Sequence, residues 1–126
     1  MISQVAKDAL RTVLGNDWYL DQPEDIATYS YDGFLPEFAP DAILVPETAE
    51  QIAQIMKIAN KDNINIIPRG AGTNICGSSV AREGGVVMAF HRMNKILEIH
   101  KESMCAVVQP GVINGDLQKE VAQYDL

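Results

Sequence analysis

The sequence predicts an α+β fold of α/β character: a mixed sheet flanked by helices, built around a βαβ unit and preceded by a helical N-terminal segment. Three observations carry this. An apolar run at residues 42–45, a capped amphipathic segment at 48–62 and a second apolar run at 64–67 follow one another with short connections. That order reads as strand, helix and parallel strand, joined by a right-handed crossover. Residues 2–14 carry Ile2, Val5, Ala6, Ala9, Leu10 and Val13 at the spacing of one helix face. A turn holding Gly70, Gly72 and Gly77 comes directly after the second apolar run.

Each element has its own warrant. Ser3 is placed to cap the first helix, and Gly15 stands where a C′ residue belongs. Residues 16–41, with Pro23, Pro36 and Pro40, read as an irregular wrapping segment. Its aromatics Trp18, Tyr19, Tyr29, Tyr31, Phe34 and Phe38 call for apolar partners. Ala42-Ile43-Leu44-Val45 is a buried strand ended by Pro46. Thr48 and Gln51 match a capping box, Ile52, Ile55, Met56 and Ala59 share a face, and Asn63 suits a left-handed terminus. Residues 86–90, 96–100 and 104–109 read as strands in antiparallel pairing or a meander. Pro110-Gly111 stops the last of them, and Asn114 is placed to cap a helix bearing Leu117, Val121 and Tyr124.

With 126 residues and 47% hydrophobic content, the chain is one domain's length and too apolar for disorder. It has no apolar run of about 18 residues, the length that signals a membrane span, and no secretory leader pattern. The net charge is −7, and the acids crowd the first 50 residues, where ten of them face only Lys7 and Arg11. The remainder is close to neutral and has no basic stripe, which excludes nucleic acid as a partner. Cys76 and Cys105 form no C-x-x-C, and His91 and His100 have no ligand-spaced companions. Free thiols and no metal site are the expectation. No nucleophile and base pair stands out, so no catalytic residue is assigned.

The candidate site is the glycine-rich turn. A glycine turn at a strand's carboxyl end lets backbone N–H groups converge on an anion, above all a phosphate. In open α/β sheets that end is where ligands bind. The pattern is neither G-x-x-x-x-G-K-[ST], since Ser78 follows Gly77, nor G-x-G-x-x-G, since Ile75 stands where the third glycine belongs. A loop that uses glycine only to turn is the alternative. The hydroxyls of Ser78 and Ser79 suit a phosphate, Cys76 suits space filling, and Arg69 suits either a diphosphate or the loop's own carbonyls.

Ile67-Pro68-Arg69-Gly70-Ala71-Gly72-Thr73-Asn74 resembles the diphosphate loop of the FAD-linked oxidases, the family with the p-cresol methylhydroxylase/vanillyl-alcohol oxidase fold. Tyr29-Ser30-Tyr31-Asp32, Pro46-Glu47-Thr48-Ala49-Glu50-Gln51-Ile52, Met93-Asn94-Lys95-Ile96 and Val108-Gln109-Pro110-Gly111-Val112 extend the likeness, which is greatest to glycolate oxidase GlcD-type and D-lactate dehydrogenase subunits. The resemblance implies an N-terminal helix and wrapping segment at residues 1–40, and a first, incomplete subdomain of a PCMH-type FAD-binding domain at 41–126. It implies FAD held by Pro68, Arg69, Gly70, Ala71, Gly72, Thr73 and Asn74, continued by Gly77 and Ser78, with Pro110, Gly111 and Val112 close by. Thr73 stands where some relatives carry a flavin-linking histidine, so FAD is expected to bind noncovalently.

The implied reaction is oxidation of a 2-hydroxy acid by hydride transfer to flavin, with the substrate held by a cap domain outside this chain. The chain alone is therefore expected to be inactive. A cytoplasmic location is implied, with a peripheral position on the inner membrane face as a variant, and an electron-transfer subunit is among the implied partners. Two other readings stay open: a flavin-free interaction module, homodimeric through its sheet, and part of an enolpyruvyl-glucosamine reductase-like flavoenzyme.

Overall fold

The computed structural model describes residues 2–34 and 36–126. Helix α1 spans Gln4–Leu14 and starts where the sequence places it, with Ser3 accepting from the Ala6 amide and Gly15 closing it at φ 80°. Its buried face is Ala6, Leu10 and Leu14 rather than the full predicted set, and Val5 points to solvent. Helix α3, at Ala49–Asp62, is capped by Thr48 and ends on Asn63 in the left-handed region. The Gln51 side chain reaches back to the Glu47 amide at 2.8 Å, one residue beyond the partner a capping box requires.

The segment read as irregular holds structure of its own. Residues Asn16–Trp18 form a 3₁₀ turn, Tyr19–Leu20 form strand β1, and Pro23–Tyr29 form helix α2. Pro23 occupies the first turn of α2, where its missing N–H costs nothing. The prolines were turn signals, and one of them starts a helix. Only Tyr19 among the segment's aromatics is buried. Trp18 is covered by the Arg92 guanidinium at 3.8 Å, and Tyr29 by that of Arg69 at 5.4 Å. Over Trp18 a cation thus takes the place of the apolar partner expected from the sequence, while Tyr29 also packs against the core layer of Ile43, Val45, Val87 and Ala89.

Strands β2 (Ala42–Leu44), β3 (Ile66–Arg69) and β4 (Val86–Ala89) join β1 in a sheet of order β1-β2-β4-β3. Strand β4 lies between β2 and β3 and is parallel to both, while β1 is antiparallel to β2. This corrects the antiparallel or meander pairing expected for residues 86–90. The crossover through α3 leaves a one-strand gap, and β4 fills it because Val86, Val87, Met88 and Ala89 are apolar on both faces, as a central parallel strand must be.

The pleat sorts the core into two layers. Ala42, Leu44, Val86 and Met88 pack against Ile2, Ala6, Leu10 and Leu14 of the α1 side and Ile55 of α3. Ile43, Val45, Val87 and Ala89 face the other way, toward Ile26 and Tyr29 of α2. Each large side chain so buried contributes about 1.5–3 kcal/mol relative to exposure.

Strands β5 (Ile96–His100) and β6 (Cys105–Val108) form a separate antiparallel pair, as the meander reading requires. Helix α4 spans Asn114–Ala122. Its N-cap is Ile113, not Asn114, and no side chain caps it.

Candidate cofactor site

The three parallel strands end on one side of the sheet, and the glycine turn leaves from the end of β3. Pairing with β4 runs as far as Arg69 opposite Ala89, so Pro68 and Arg69 belong to the strand and the loop proper starts at Gly70. Gly72 and Gly77 hold φ of 69° and 68°, the region that glycine enters without strain. Among the described residues, the backbone N–H groups of residues 70–75 donate to nothing. That is an open run of donors on an exposed loop beside a strand terminus.

Arg69 is 8% exposed, and its guanidinium points inward. It donates to the Tyr31 carbonyl at 2.7 Å and the Ser79 carbonyl at 3.3 Å. A Cβ on Gly72 would lie 2.3 Å from this guanidinium, so the loop passes directly over it. Of the two roles open to Arg69 from the sequence, the side chain fills the second: it bonds backbone carbonyls, that of Ser79 at the loop's end and that of Tyr31 in the segment beneath it. Its charge remains beneath the turn, with no carboxylate in ion-pair range among the described residues.

Ser79 also departs from expectation. Its hydroxyl is buried, 2.6 Å from Asn74 Oδ1 and 3.2 Å from Asp32 Oδ2, and is turned away from any phosphate. Asn74 is the centre of the loop. Its Nδ2 donates to Asp32 Oδ2 at 2.6 Å and to Ser78 Oγ at 3.2 Å, and its carbonyl accepts from the Gly33 amide at 2.9 Å. Cys76 is exposed, with Sγ 3.4 Å from Ser78 Oγ. Hydrogen bonds from Ser78 and then Asn74 hold its thiol below the usual cysteine range.

Asp32 was quoted in the sequence only for its likeness and received no role. It is 4% exposed and accepts from the Phe34 amide at 2.8 Å as well as from Asn74 and Ser79. Burial by itself would raise its pKa, but these hydrogen bonds outweigh burial and hold the carboxyl below its ordinary value. The Asp-Gly pair at 32–33 is a turn signal, and the bond from Phe34 N to Asp32 closes that turn; this was the only local hint.

The second predicted segment does meet the loop. A Cβ on Gly70 would lie 3.9 Å from the Pro110 carbonyl. Gly111 donates to the Met93 carbonyl at 2.8 Å, and a Cβ there would fall 1.9 Å from the Phe90 carbonyl. Only glycine fits at 111. The chain leaving β4 and the chain leaving β6 are thereby clamped together next to Gly70, with Val112 following half-buried. Among the described residues no cluster of metal-ligating side chains gathers, and no helix is long and apolar enough to cross a membrane.

Comparison with known proteins gives this geometry a family. Residues 40–126 match a family model described as FAD binding domain. The chain is 40% identical over 128 aligned positions to the glycolate oxidase subunit GlcD of Bacillus subtilis, covering 100% of this chain and 27% of that protein. It is 35% identical over 115 positions to D-2-hydroxyglutarate dehydrogenase of Stutzerimonas stutzeri, covering 89% of this chain and 24% of the relative. The chain thus spans about a quarter of the curated relatives it matches. Among solved structures, p-cresol methylhydroxylase with substrate bound superposes with a TM-score of 0.84 at 30% identity, over 99% of this chain and 26% of that one. Alkyldihydroxyacetonephosphate synthase superposes equally well, at 0.84 and 26% identity, over 98% of this chain and 28% of its own. The fold is that of the PCMH-type FAD-binding domain, and the chain belongs to the FAD binding domain family, with FAD as its cofactor.

Proposed function

We propose that residues 68–74, with Gly77 and Ser78, hold the FAD diphosphate noncovalently, that Pro110, Gly111 and Val112 line the same site, and that the polypeptide carrying them oxidises a 2-hydroxy acid of the glycolate or D-lactate type. The observation that carries the cofactor assignment is the run of unpaired amides over residues 70–75, at the carboxyl end of a parallel strand. Each N–H given to a charged oxygen contributes about 1.5–3 kcal/mol where water is excluded. Thr73 leaves no histidine in the loop for a covalent link. Bound flavin supplies the two-electron acceptor; the residues here bind and orient it. The substrate class is supported by relatives named glycolate oxidase subunit GlcD, D-2-hydroxyglutarate dehydrogenase and, in Anaerostipes hadrus, D-lactate dehydrogenase. No residue of the chain is assigned to the chemical step, so the chain alone is expected to bind flavin without turnover.

The test is replacement of Gly72 by valine. A Cβ there would meet the Arg69 guanidinium at 2.3 Å and strain a positive φ. Flavin content and quenching of FAD fluorescence should be lost while far-ultraviolet dichroism stays near native. Normal flavin content in this variant would show that the loop is wrongly assigned. Flavin reduction by glycolate, D-lactate and D-2-hydroxyglutarate, compared in the whole polypeptide, tests the substrate class.

One observation favours a second reading, an interaction or dimerisation module. Strand β6 is exposed throughout, and a cavity of about 460 Å³ opens between the β5–β6 pair and α4, lined by Ile99, Ala106, Leu117 and Val121. A chain that self-associates and leaves FAD fluorescence unquenched would favour it.

A further inference from the structure

We propose that Asp32 is a positioning residue for the cofactor loop: its buried carboxylate, acting through Asn74 and Ser79, docks residues 31–34 beneath residues 72–79 and holds the loop in the form that takes the FAD diphosphate. The inference rests on the loop being the diphosphate site. Residues 31–34 lie before the family match, which begins at residue 40, yet each of them touches the loop or its base. The Tyr31 carbonyl accepts from Arg69 at 2.7 Å, and Arg69 lies under Gly72. Asp32 accepts from Asn74 at 2.6 Å, across 42 residues of sequence, and from Ser79 at 3.2 Å. The Gly33 amide donates to the Asn74 carbonyl at 2.9 Å, and a Cβ on Gly33 would stand 2.8 Å from that oxygen. The Phe34 ring packs on Gly77, where a Cβ would come within 3.0 Å of it.

The chemistry of these contacts is directional. An ionised carboxylate only accepts: the Phe34 amide and Asn74 Nδ2 donate to Asp32, and the single Ser79 hydroxyl proton is shared between Asp32 Oδ2 at 3.2 Å and Asn74 Oδ1 at 2.6 Å. The Asn74 amide therefore turns its Nδ2 toward Asp32 and its Oδ1 toward the Ser79 hydroxyl, which fixes its rotamer and with it the backbone at the middle of the loop. The amides of residues 70–75 remain unpaired while both ends of the loop are tied down, by Arg69 at the start and by Asn74, Gly77 and Ser79 further on. A loop held open in this way loses less conformational freedom when the ligand arrives.

The test uses the polypeptide purified with and without its flavin. Asp32→Asn leaves one acceptor oxygen for two donors, so its NH2 group meets either Asn74 Nδ2 or the Phe34 amide, donor to donor; Asp32→Ala removes both acceptors. Both should weaken FAD binding by about tenfold or more and loosen the loop, read as faster amide exchange at Gly33, whose N–H bonds the Asn74 carbonyl, with β2 and β4 unchanged. The reciprocal pair Asp32→Asn with Asn74→Asp restores one donor facing one carboxylate, and should return Gly33 exchange to within about threefold of the parent; FAD affinity is not its readout, because Asn74→Asp adds a negative charge to the diphosphate loop. If Asp32→Ala fails to fold, Ser79→Ala carries the same readouts, with a smaller effect in the same direction. FAD affinity and Gly33 exchange within about twofold of the parent in Asp32→Asn and Ser79→Ala would overturn the proposal. So would a reciprocal pair that folds but exchanges at Gly33 as fast as Asp32→Asn. Amide exchange is read without flavin. A parent chain that binds no FAD therefore overturns the cofactor assignment, while exchange at Gly33 still decides whether Asp32 orders the loop.

Discussion

Strands β4 and β6 are both four-residue apolar strands, Val86–Ala89 and Cys105–Val108, and they end in opposite environments. Every residue of β4 is buried and every residue of β6 is exposed. The first has a parallel neighbour on each edge, α1 and α3 over one face and α2 over the other. Among the described residues, the second has only β5 beside it in its sheet. Apolar, β-branched composition makes a strand in either place, but burial comes from what packs on its faces. The two regions meet at Gly111, which ties the turn after β6 to the carbonyls of Phe90 and Met93 just past β4.

The largest expected effect comes from breaking that junction. Gly111→Val forces a Cβ to within 1.9 Å of the Phe90 carbonyl, a backbone atom that has no room to yield. We expect a loss of about 4 kcal/mol or more in denaturant unfolding, together with loss of flavin. Leu44→Ala, in the fully buried sheet, should cost about 2–5 kcal/mol by the same measurement. Val107→Ala on β6, 44% exposed, should stay within about 0.5 kcal/mol. Equal losses at Leu44 and Val107 would mean that β6 is covered in solution, and the contrast between the strands would fall.

Acid sharpens the contrast on the loop side. The folded-state pKa of Asp32 lies below its ordinary 3.8. Its contribution to stability is therefore fully present above about that pH and is lost as the pH falls through the folded value. In an acid titration followed by amide exchange, the parent should lose protection at Gly33 and Phe34, whose N–H groups bond Asn74 and Asp32, over this window. Asp32→Asn, already lacking that contribution, should lose no more there.

The smallest expected effect is chemical. Cys76 and Cys105 are both exposed, and hydrogen bonds from Ser78 and Asn74 favour the thiolate of Cys76. Alkylation near neutral pH, read by mass spectrometry, should favour Cys76 by a few-fold, and FAD should slow the reaction there but leave Cys105 unaffected. No protection by FAD at Cys76 would place the cofactor away from residues 76–78.

The parts that were legible in the sequence share a short range. Ser3 and Gly15 bound α1, Thr48, Gln51 and Asn63 bound α3, and Gly72 and Gly77 mark the loop. Caps and turns are set by hydrogen bonds and φ angles within a few residues, so composition and spacing reveal them. The errors lie where a local signal met a distant partner. Pro23 looked like a breaker and starts α2. The aromatics of residues 16–41 looked like core, and Trp18 lies beneath Arg92 instead. Ser79 looked like a phosphate ligand and is bonded inward to Asp32.

By itself, then, the sequence determined the helices α1 and α3, the apolar strands and the glycine turn, though not β1 or α2, and its resemblance pointed to FAD. The tertiary structure alone decided that β4 would sit between β2 and β3, that Arg69 would turn beneath the loop, and that Asp32 would reach Asn74 42 residues away. The physical reason is common to all three. Strand order and buried polar pairing depend on which distant surfaces exclude water together, and no local period in the chain encodes that.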